Sequence, residues 1–136
     1  MPLDCLSVGL LVADHLCAPI THFPKAGELV LSDHLSLNVG GCASNAAIDL
    51  ARVGVAVGVV GCVGDDPFGR FIIETLQQAG VDTRSIRSLA DVGTSGTLIV
   101  NVQSEDRRFI HTIGANGRLS AADIPLDRLR ETKVLY

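Results

Sequence analysis

Residues 40–64 read GGCASNAAIDLARVGVAVGVVGCVG, and this stretch decides the fold class. Two glycines precede an alanine-rich segment with helical spacing. Gly54 is suited to end that helix because glycine tolerates a left-handed backbone. The apolar run over residues 56–63 is typical of a strand buried on both faces of a parallel sheet. The stretch therefore predicts a helix over residues 42–53 followed by a buried strand, which is the repeating unit of α/β proteins.

The flanking segments extend this alternation of strands and helices. Residues 5–12 form a second short apolar run, which predicts a buried strand near the start of the chain. Asp65-Asp66-Pro67 predicts the start of a second helix, with an Asp as the N-cap and Pro in the first turn, and Gly80 closes it. The order strand, irregular insert, helix, strand, helix is typical of a doubly wound α/β sheet.

Two segments interrupt the alternation and are expected to stand off the main sheet. Residues 16–39 contain two strand-like runs, 28–31 and 34–39, which predict a half-exposed hairpin. Residues 97–102 and 107–113 are strand-like runs joined by a turn, with no helix between them. This second pair predicts a hairpin that forms a flap over the main sheet.

The last residues, 133–136, predict the opening of a buried strand after short helical stretches at 120–124 and 126–132. A parallel strand buried on both faces rarely ends a domain. We therefore expect the chain to stop partway through a domain, with further structure after it.

Composition restricts the functional classes. The 136 residues are 47% hydrophobic with a mean hydropathy of +0.36, which predicts a packed core and argues against disorder. The net charge is −4 and no basic cluster exceeds the adjacent pair Arg107-Arg108, so nucleic acid and anionic membranes are poor candidate partners.

The cysteines predict a reducing compartment. None of the four lies in a CxxC pair or beside a histidine at metal-ligand spacing, so they are expected to be buried or half-buried thiols, and no metal site is predicted. The first residues lack the basic region of a signal peptide, and the cytosol is the expected location.

The candidate ligand-binding residues are Asp14, Gly40, Gly41 and Asn45. Glycines before a helix leave the backbone open to a ligand beside unpaired amide groups, and Asn45 can both donate and accept hydrogen bonds. Asp14 is expected just after the first strand, at the edge where open α/β sheets bind ligands. Together these residues suit a polyhydroxylated ligand. The structural alternatives are a simple turn into a helix for the glycines and a solvated loop or helix cap for Asp14.

Taken together, these motifs resemble the ribokinase-like, or pfkB, family of carbohydrate kinases. Residues 40–47, with Gly54 and then Gly64 ten positions on, resemble the N-terminal signature of the family, and residues 12–14 resemble its substrate-binding strand end. Other matching segments are Phe23-Pro24-x-x-Gly27-Glu28, Gly61-x-x-Gly64-x-Asp66-x-Phe68-Gly69, Thr94-Ser95-Gly96-Thr97 and Gly114-Ala115-Asn116. The resemblance extends over residues 5–136.

The resemblance implies the N-terminal part of one ribokinase-like α/β domain, over residues 1–136, with a mainly parallel sheet. Residues 16–39 and 94–113 would form a small β lid inserted in it. The implied reaction is the ATP-dependent phosphorylation of a sugar hydroxymethyl group. Asp14 would bind sugar hydroxyls, and Gly40, Gly41 and Asn45 would complete the sugar site. The candidate lid residues are Leu98, Val100 and His111, and His111 would lie either near the sugar or at the dimer interface.

Two departures from the family pattern change this expectation. Cys42 stands where ribokinase-type members often carry lysine, which argues against strict ribose specificity. The C-terminal G-A-G-D motif, which holds the general base and the anion hole, is absent. The catalytic residues and most of the site for ATP and Mg²⁺ are therefore expected downstream, and the chain alone is expected to be inactive.

Partners and alternatives also follow from the resemblance. The lid hairpin has apolar residues on both faces, so one face can close over the sugar while the other meets a second subunit. We therefore expect a homodimer through residues 97–113 together with residues 28–39. The alternatives are a nucleoside kinase of the same fold and a non-catalytic sugar-binding or dimerisation module.

Overall fold

A computed structural model describes residues 2–136 and contains two four-stranded sheets. The strands in chain order are β1 (Cys5–Val8), β2 (Val12–Ile20), β3 (Leu35–Gly40), β4 (Val57–Gly64), β5 (Asp82–Leu89), β6 (Gly96–Val102), β7 (Arg108–Thr112) and β8 (Val134–Leu135). The α-helices are α1 (Cys42–Arg52), α2 (Pro67–Gln78) and α3 (Leu126–Arg130), and two short 3-10 helices cover Gly114–Arg118 and Ala121–Asp123.

The first sheet is parallel and has the strand order β5-β4-β1-β8. Its strand β4 is buried along its whole length, as the uninterrupted apolar run predicts. Helix α2 connects β4 to β5, helix α1 leads from β3 of the other sheet into β4, and the two helices contribute Ala47, Ile72 and Leu76, which are fully buried in the core. This sheet is the main body of the molecule, and its strands all end at one edge.

The second sheet, with the order β3-β2-β6-β7, stands beyond that edge. Strand β2 pairs with β3 in antiparallel and with β6 in parallel orientation, and β6 and β7 form an antiparallel hairpin. The prediction of a hairpin over residues 97–113 is therefore confirmed. A link of only three residues, 9–11, joins β1 of the main sheet to β2 of the second sheet.

The sequence interpretation of residues 12–39 was partly wrong. It ended the first strand at Val12, whereas β1 ends at Val8 and residues 12–20 form a separate strand. Residues 28–31 form no strand, and β3 pairs with β2 instead of with them. The proline in β2, Pro19, lies where the register with β6 shifts, a position that tolerates the missing amide. Asp14 consequently lies inside a strand and not in a loop.

Strand β5 was missed because its sequence, DTRSIRSL, has no apolar run. It is an edge strand of the main sheet, so one side of it lacks a neighbour among the described strands. Its partly exposed faces carry Arg84 and Arg87, as is typical of edge strands that avoid pairing with other chains. Its strand identity comes from pairing with β4 and not from local hydrophobicity.

The predicted helix signals are confirmed. Asp66 caps α2 by accepting a hydrogen bond from the Gly69 amide at 2.8 Å, and Pro67 is the first helical residue. Gly54 and Gly80 follow α1 and α2 with φ values of 86° and 85°.

Within residues 2–136, no helix is long and apolar enough to span a membrane.

Candidate functional site

Asp14 lies on β2 with its carboxylate directly against the backbone of Gly40. A Cβ atom placed on Gly40 would lie 2.0 Å from Oδ2 of Asp14, so only glycine leaves room for this carboxylate. The Asp14 side chain forms no hydrogen bond or ion pair with another residue of the described chain. A half-buried carboxylate without a protein partner retains its full capacity to accept hydrogen bonds from a ligand.

Gly41 begins α1 and lies against the link between β1 and β2. Its φ is 94°, and a Cβ there would lie 2.2 Å from the carbonyl oxygen of Leu10. The sequence predicts that Gly40 and Gly41 let a ligand approach the backbone closely. The structure gives a further reason for both glycines, since protein atoms occupy the space that a side chain would need.

The amino end of α1 has no side-chain cap. Gly41 is the N-cap residue, and no side chain among residues 2–136 accepts a hydrogen bond from the first-turn amides. Those amides and the helix dipole leave partial positive charge at this end, which suits oxygen atoms of a ligand. Cys42, the first helical residue, is exposed here, so the expectation of a buried or half-buried thiol is wrong for this cysteine. Gly40, Gly41 and Asp14 therefore meet at one place between the second sheet and α1.

Asn45 is not brought to that contact. It is exposed and lines a shallow groove with Val39, Ile48, Asp49 and Arg52. Val39 pairs with Ala13, so it faces the opposite side of the second sheet from Asp14.

A row of polar side chains crosses the second sheet on the face that carries Asp14. The strand register aligns Asn38 with Asp14, Asp14 with Thr97, and Thr97 with His111. Thr97 Oγ1 lies 3.0 Å from Nδ1 of His111, and this hydrogen bond leaves Nε2 of the imidazole available. With neighbouring strands about 4.8 Å apart, the row is roughly 10 Å wide from Asp14 to His111. We name these four residues the polar row.

The opposite face of the same sheet is apolar, and it carries Leu98 and Val100. Leu98 pairs with Ile110, and these two side chains are 44% and 64% exposed. His15 packs edge-on against Phe68 of α2 at 4.8 Å between ring centroids and shares a shallow pocket with Leu98. Of the three lid residues implied by the resemblance, only His111 shares a face with Asp14. We name this surface, formed by Leu35, Leu37, Leu98, Val100 and Ile110, the apolar lid face.

Sequence reasoning did not single out Asn38 and Thr97 as site residues. What places these two residues beside Asp14 is the register of β3 and β6 relative to β2. That register depends on pairing between residues far apart in the sequence. Asn38 and Thr97 also look unremarkable in sequence, since each is a polar residue in a half-exposed strand. Once Asp14 is placed inside β2, its two lateral neighbours follow from the pairing.

The Pro-x-x-Gly-Glu segment forms a braced loop after β2. Glu28 accepts hydrogen bonds from the Lys25 amide and from Nε2 of His22, each at 2.8 Å. These bonds, the Lys25 amide first, hold the pKa of Glu28 below its usual value. Gly27 has a φ of 78°, which the turn before Glu28 requires. The motif thus accounts for the shape of this loop.

The aspartates at the start of α2 are structural. Asp66 accepts hydrogen bonds from the Thr94 amide at 2.8 Å and from Oγ1 of Thr94 at 2.6 Å, besides capping α2. Burial alone would raise the pKa of Asp66, but the bonds from Thr94 and Gly69 outweigh it and hold that pKa below its usual value. No group of three metal-ligating side chains occurs in the described part of the chain.

Comparison with known families identifies the class of protein to which this fold belongs. The family model described as pfkB family carbohydrate kinase matches residues 3–136. The chain belongs to the pfkB family of carbohydrate kinases.

Individual relatives support this assignment. The chain is 29% identical over 113 residues to a ribokinase of Haemophilus influenzae, covering 83% of this chain and 37% of the relative. It is 32% identical over 137 residues to a 5-dehydro-2-deoxygluconokinase of Geobacillus thermodenitrificans, covering 98% of this chain and 39% of the relative. The chain therefore spans less than two fifths of the length of these curated relatives.

Solved structures confirm the predicted fold class. An Arabidopsis thaliana ribokinase complexed with ribose and ATP superposes with a TM-score of 0.86 at 25% identity, covering 99% of this chain and 45% of that one. A ribokinase from Thermotoga maritima gives a TM-score of 0.83 at 25% identity, with 98% and 44% covered. The ribokinase-like α/β fold is thus shown.

Proposed function

We propose that the full-length protein phosphorylates the hydroxymethyl group of a sugar, and that residues 1–136 form the substrate-binding part of one domain. The inserted lid would comprise residues 16–39 and 94–113. The observation that carries the proposal is the carboxylate of Asp14, which has no partner among the described residues and is held against Gly40 beside the uncapped end of α1. Family membership supplies the reaction class, and the site supplies a surface suited to hydroxyl groups.

The polar row is proposed as the sugar-facing side of the lid. Asp14 accepts hydrogen bonds from two neighbouring hydroxyls, while Asn38 and the Thr97–His111 pair bind oxygen atoms on either side of it. Asn45 would join this site only if substrate or lid movement brings the groove on the other side of β3 closer. Leu98 and Val100 have no place in it, because they face away.

The residues present do not fit ATP with Mg²⁺. The sequence contains neither phosphate-binding loop signature, and no cluster of metal-ligating side chains occurs in residues 2–136. In the proposal, ATP, Mg²⁺ and the general base are held by the G-A-G-D segment that the resemblance places after the matching region.

The test is an Asp14→Asn variant of the full-length protein, assayed against pentoses, hexoses, sugar acids and ribosides. Loss of a charge-assisted hydrogen bond costs about 1.5–3 kcal/mol, so we expect KM for the preferred sugar to rise roughly 10- to 150-fold. An unchanged KM and kcat would remove Asp14 from the site. Lack of ATP-dependent turnover on every compound would refute the kinase proposal.

The panel includes ribosides because one relative supports that alternative. The chain is 39% identical over 89 residues to an aminoimidazole riboside kinase of Salmonella typhimurium, covering 63% of this chain and 28% of the relative. Preference for a riboside over every free sugar would establish a nucleoside kinase of the same fold. Binding without phosphorylation by the full-length protein would instead support a non-catalytic module.

We also propose that the protein forms a homodimer through the apolar lid face. Leu35, Leu98 and Ile110 are 77%, 44% and 64% exposed on this face, an unusual concentration of large apolar side chains. Burying these residues against the same face of a second copy would remove them from water. The four free cysteines of the chain agree with the proposed location in the cytosol.

Sedimentation of Leu98→Glu tests the dimer. A charge at Leu98 is expected to give monomers at micromolar concentration, because the interface would bury it unpaired. Phe109→Glu is the matched control, since Phe109 is also exposed but pairs with Ile99 on the opposite face. A monomeric wild type, or a Leu98→Glu variant that remains dimeric, would refute this interface.

A further inference from the structure

Asn116 ends the Gly-Ala-Asn segment, and nothing in the proposed sugar site uses its side chain. It is 9% exposed, and both polar atoms of its amide group form hydrogen bonds with the backbone of one residue. Oδ1 accepts a hydrogen bond from the Leu11 amide at 3.1 Å, and Nδ2 donates one to the Leu11 carbonyl at 2.9 Å. An asparagine side chain can satisfy both backbone groups of a residue in this way, as a neighbouring strand would.

Leu11 belongs to the link between the two sheets, which is in contact with the sugar site. The link is three residues long and ends three positions before Asp14. A Cβ on Gly41 would lie 2.2 Å from the Leu10 carbonyl oxygen and 3.1 Å from the Leu11 nitrogen. The backbone of the link therefore touches the amino end of α1 on one side and leads into the strand of Asp14 on the other.

Asn116 itself is anchored where the lid hairpin leaves the main sheet. The amide of its neighbour Ala115 donates to the Gly93 carbonyl at 2.8 Å, in the segment that precedes β6. Oγ of Ser95 donates to the Thr112 carbonyl at 2.9 Å, which ties the start of β6 to the end of β7. The side chain of Asn116 thus connects the base of the hairpin to the link.

We infer that Asn116 is a positioning residue for the sugar site. It fixes residues 9–11 and, through them, the placement of Asp14 relative to Gly41 and α1, without touching the sugar. This inference rests on the proposed function of that site. A residue that only filled the core would need no pair of directed hydrogen bonds, and an apolar side chain of similar volume would serve.

Two variants of the full-length protein separate positioning from packing. Asn116→Asp keeps the volume and the acceptor but has no donor for the Leu11 carbonyl when ionised, and Asn116→Ala removes both bonds. We expect each to raise KM for the sugar about tenfold or more while KM for ATP changes less than about twofold. Asp82→Asn is the control, because it removes ion pairs with Arg84 and Arg128 at the opposite edge of the sheet. It should destabilise the protein without raising KM for the sugar.

Amide hydrogen exchange gives a second measurement that does not depend on activity. In Asn116→Asp we expect faster exchange at Leu11 with unchanged exchange at Val59 and Val60, which lie in the buried strand β4. Unchanged exchange at Leu11, or equal acceleration in β4, would overturn the inference, as would an unchanged KM for the sugar. If wild-type protein phosphorylates no sugar, the proposed function fails, and the exchange at Leu11 alone decides whether Asn116 fixes the link.

Discussion

Gly40→Ala is the most informative single substitution, because it displaces Asp14 without altering its chemistry. The added methyl would lie 2.0 Å from Oδ2 and 2.7 Å from Cγ of Asp14. Ordinary contact begins at 3.4 Å, so the carboxylate oxygen must move by about 1.4 Å. The backbone itself tolerates alanine, since Gly40 is not among the glycines with positive φ. The Asp14 side chain is short but free of partners among the described residues, and it is the part that moves.

The magnitude follows from hydrogen-bond geometry. Charge-assisted bonds have lengths of about 2.7–2.9 Å, and a separation of about 3.6 Å is no longer a hydrogen bond, so a shift of this size breaks the bonds to the sugar. We expect a loss of about 1.5–3 kcal/mol in sugar binding, or roughly 10- to 150-fold in KM. This is the same effect as that of Asp14→Asn, although the carboxylate is still present.

The assay is the steady-state KM for the sugar in the full-length protein, with Gly96→Ala as the matched control. Gly96 lies on β6, which pairs with the strand of Asp14, β2. A methyl on Gly96 would meet no atom closer than the Ala13 carbonyl oxygen at 3.3 Å. In a double-mutant cycle with Asp14→Ala, the effect of Gly40→Ala should disappear, because the side-chain atoms that the added methyl displaces have been removed. A wild-type KM in Gly40→Ala, or an undiminished effect when Gly40→Ala is added to the Asp14→Ala variant, would refute the reasoning.

Three further substitutions test other parts of the structure. Ser44→Ala should raise the free energy of unfolding by about 1 kcal/mol, because Oγ of Ser44 is buried without a hydrogen-bond partner among the described residues; a stability loss in urea denaturation would contradict this. Hydrogen bonds from the Arg84 side chain, assisted by its amide and by the charge of Arg128, lower the pKa of Asp82 to about 2. Ionised Asp82 therefore stabilises the fold above its unfolded pKa of 3.8, by up to about 2 kcal/mol, and this is lost as the pH falls through 2. Denaturation of Asp82→Asn should show that deficit at pH 7 and none near pH 1.5; an equal deficit at both would exclude the ion pairs as the cause. Cys42, the exposed thiol at the start of α1, should be the first cysteine that iodoacetamide alkylates, and saturating sugar should protect it; alkylation that sugar does not slow would place Cys42 outside the site.

Local sequence predicted the parts of the molecule that depend on neighbouring residues. The apolar run of β4, the Asp66 cap and Gly54 after α1 are local signals, and each was confirmed. Strand β5 was not predicted, because its sequence DTRSIRSL has the polar pattern of an exposed edge strand. Such a strand forms through pairing with its neighbour, here β4. Likewise, residues 12–20 mix polar and apolar side chains, so the sequence did not predict their strand. It is defined by its pairing with β3 on one side and β6 on the other.

The site shows the same division between what local sequence predicts and what long-range pairing decides. The sequence by itself identified the family, the α/β class, and Asp14, Gly40 and Gly41 as candidate site residues. It could do so because the order of the motifs and the residues that start a helix depend only on neighbouring positions in the chain. Tertiary structure alone decided which side each residue faces. A strand exposes alternate residues to opposite faces, and register depends on pairs far apart in sequence. That register places His111 on the same face as Asp14 and turns Leu98 and Val100 to the apolar lid face. The packing of the chain places Asn116 against a link 105 positions away.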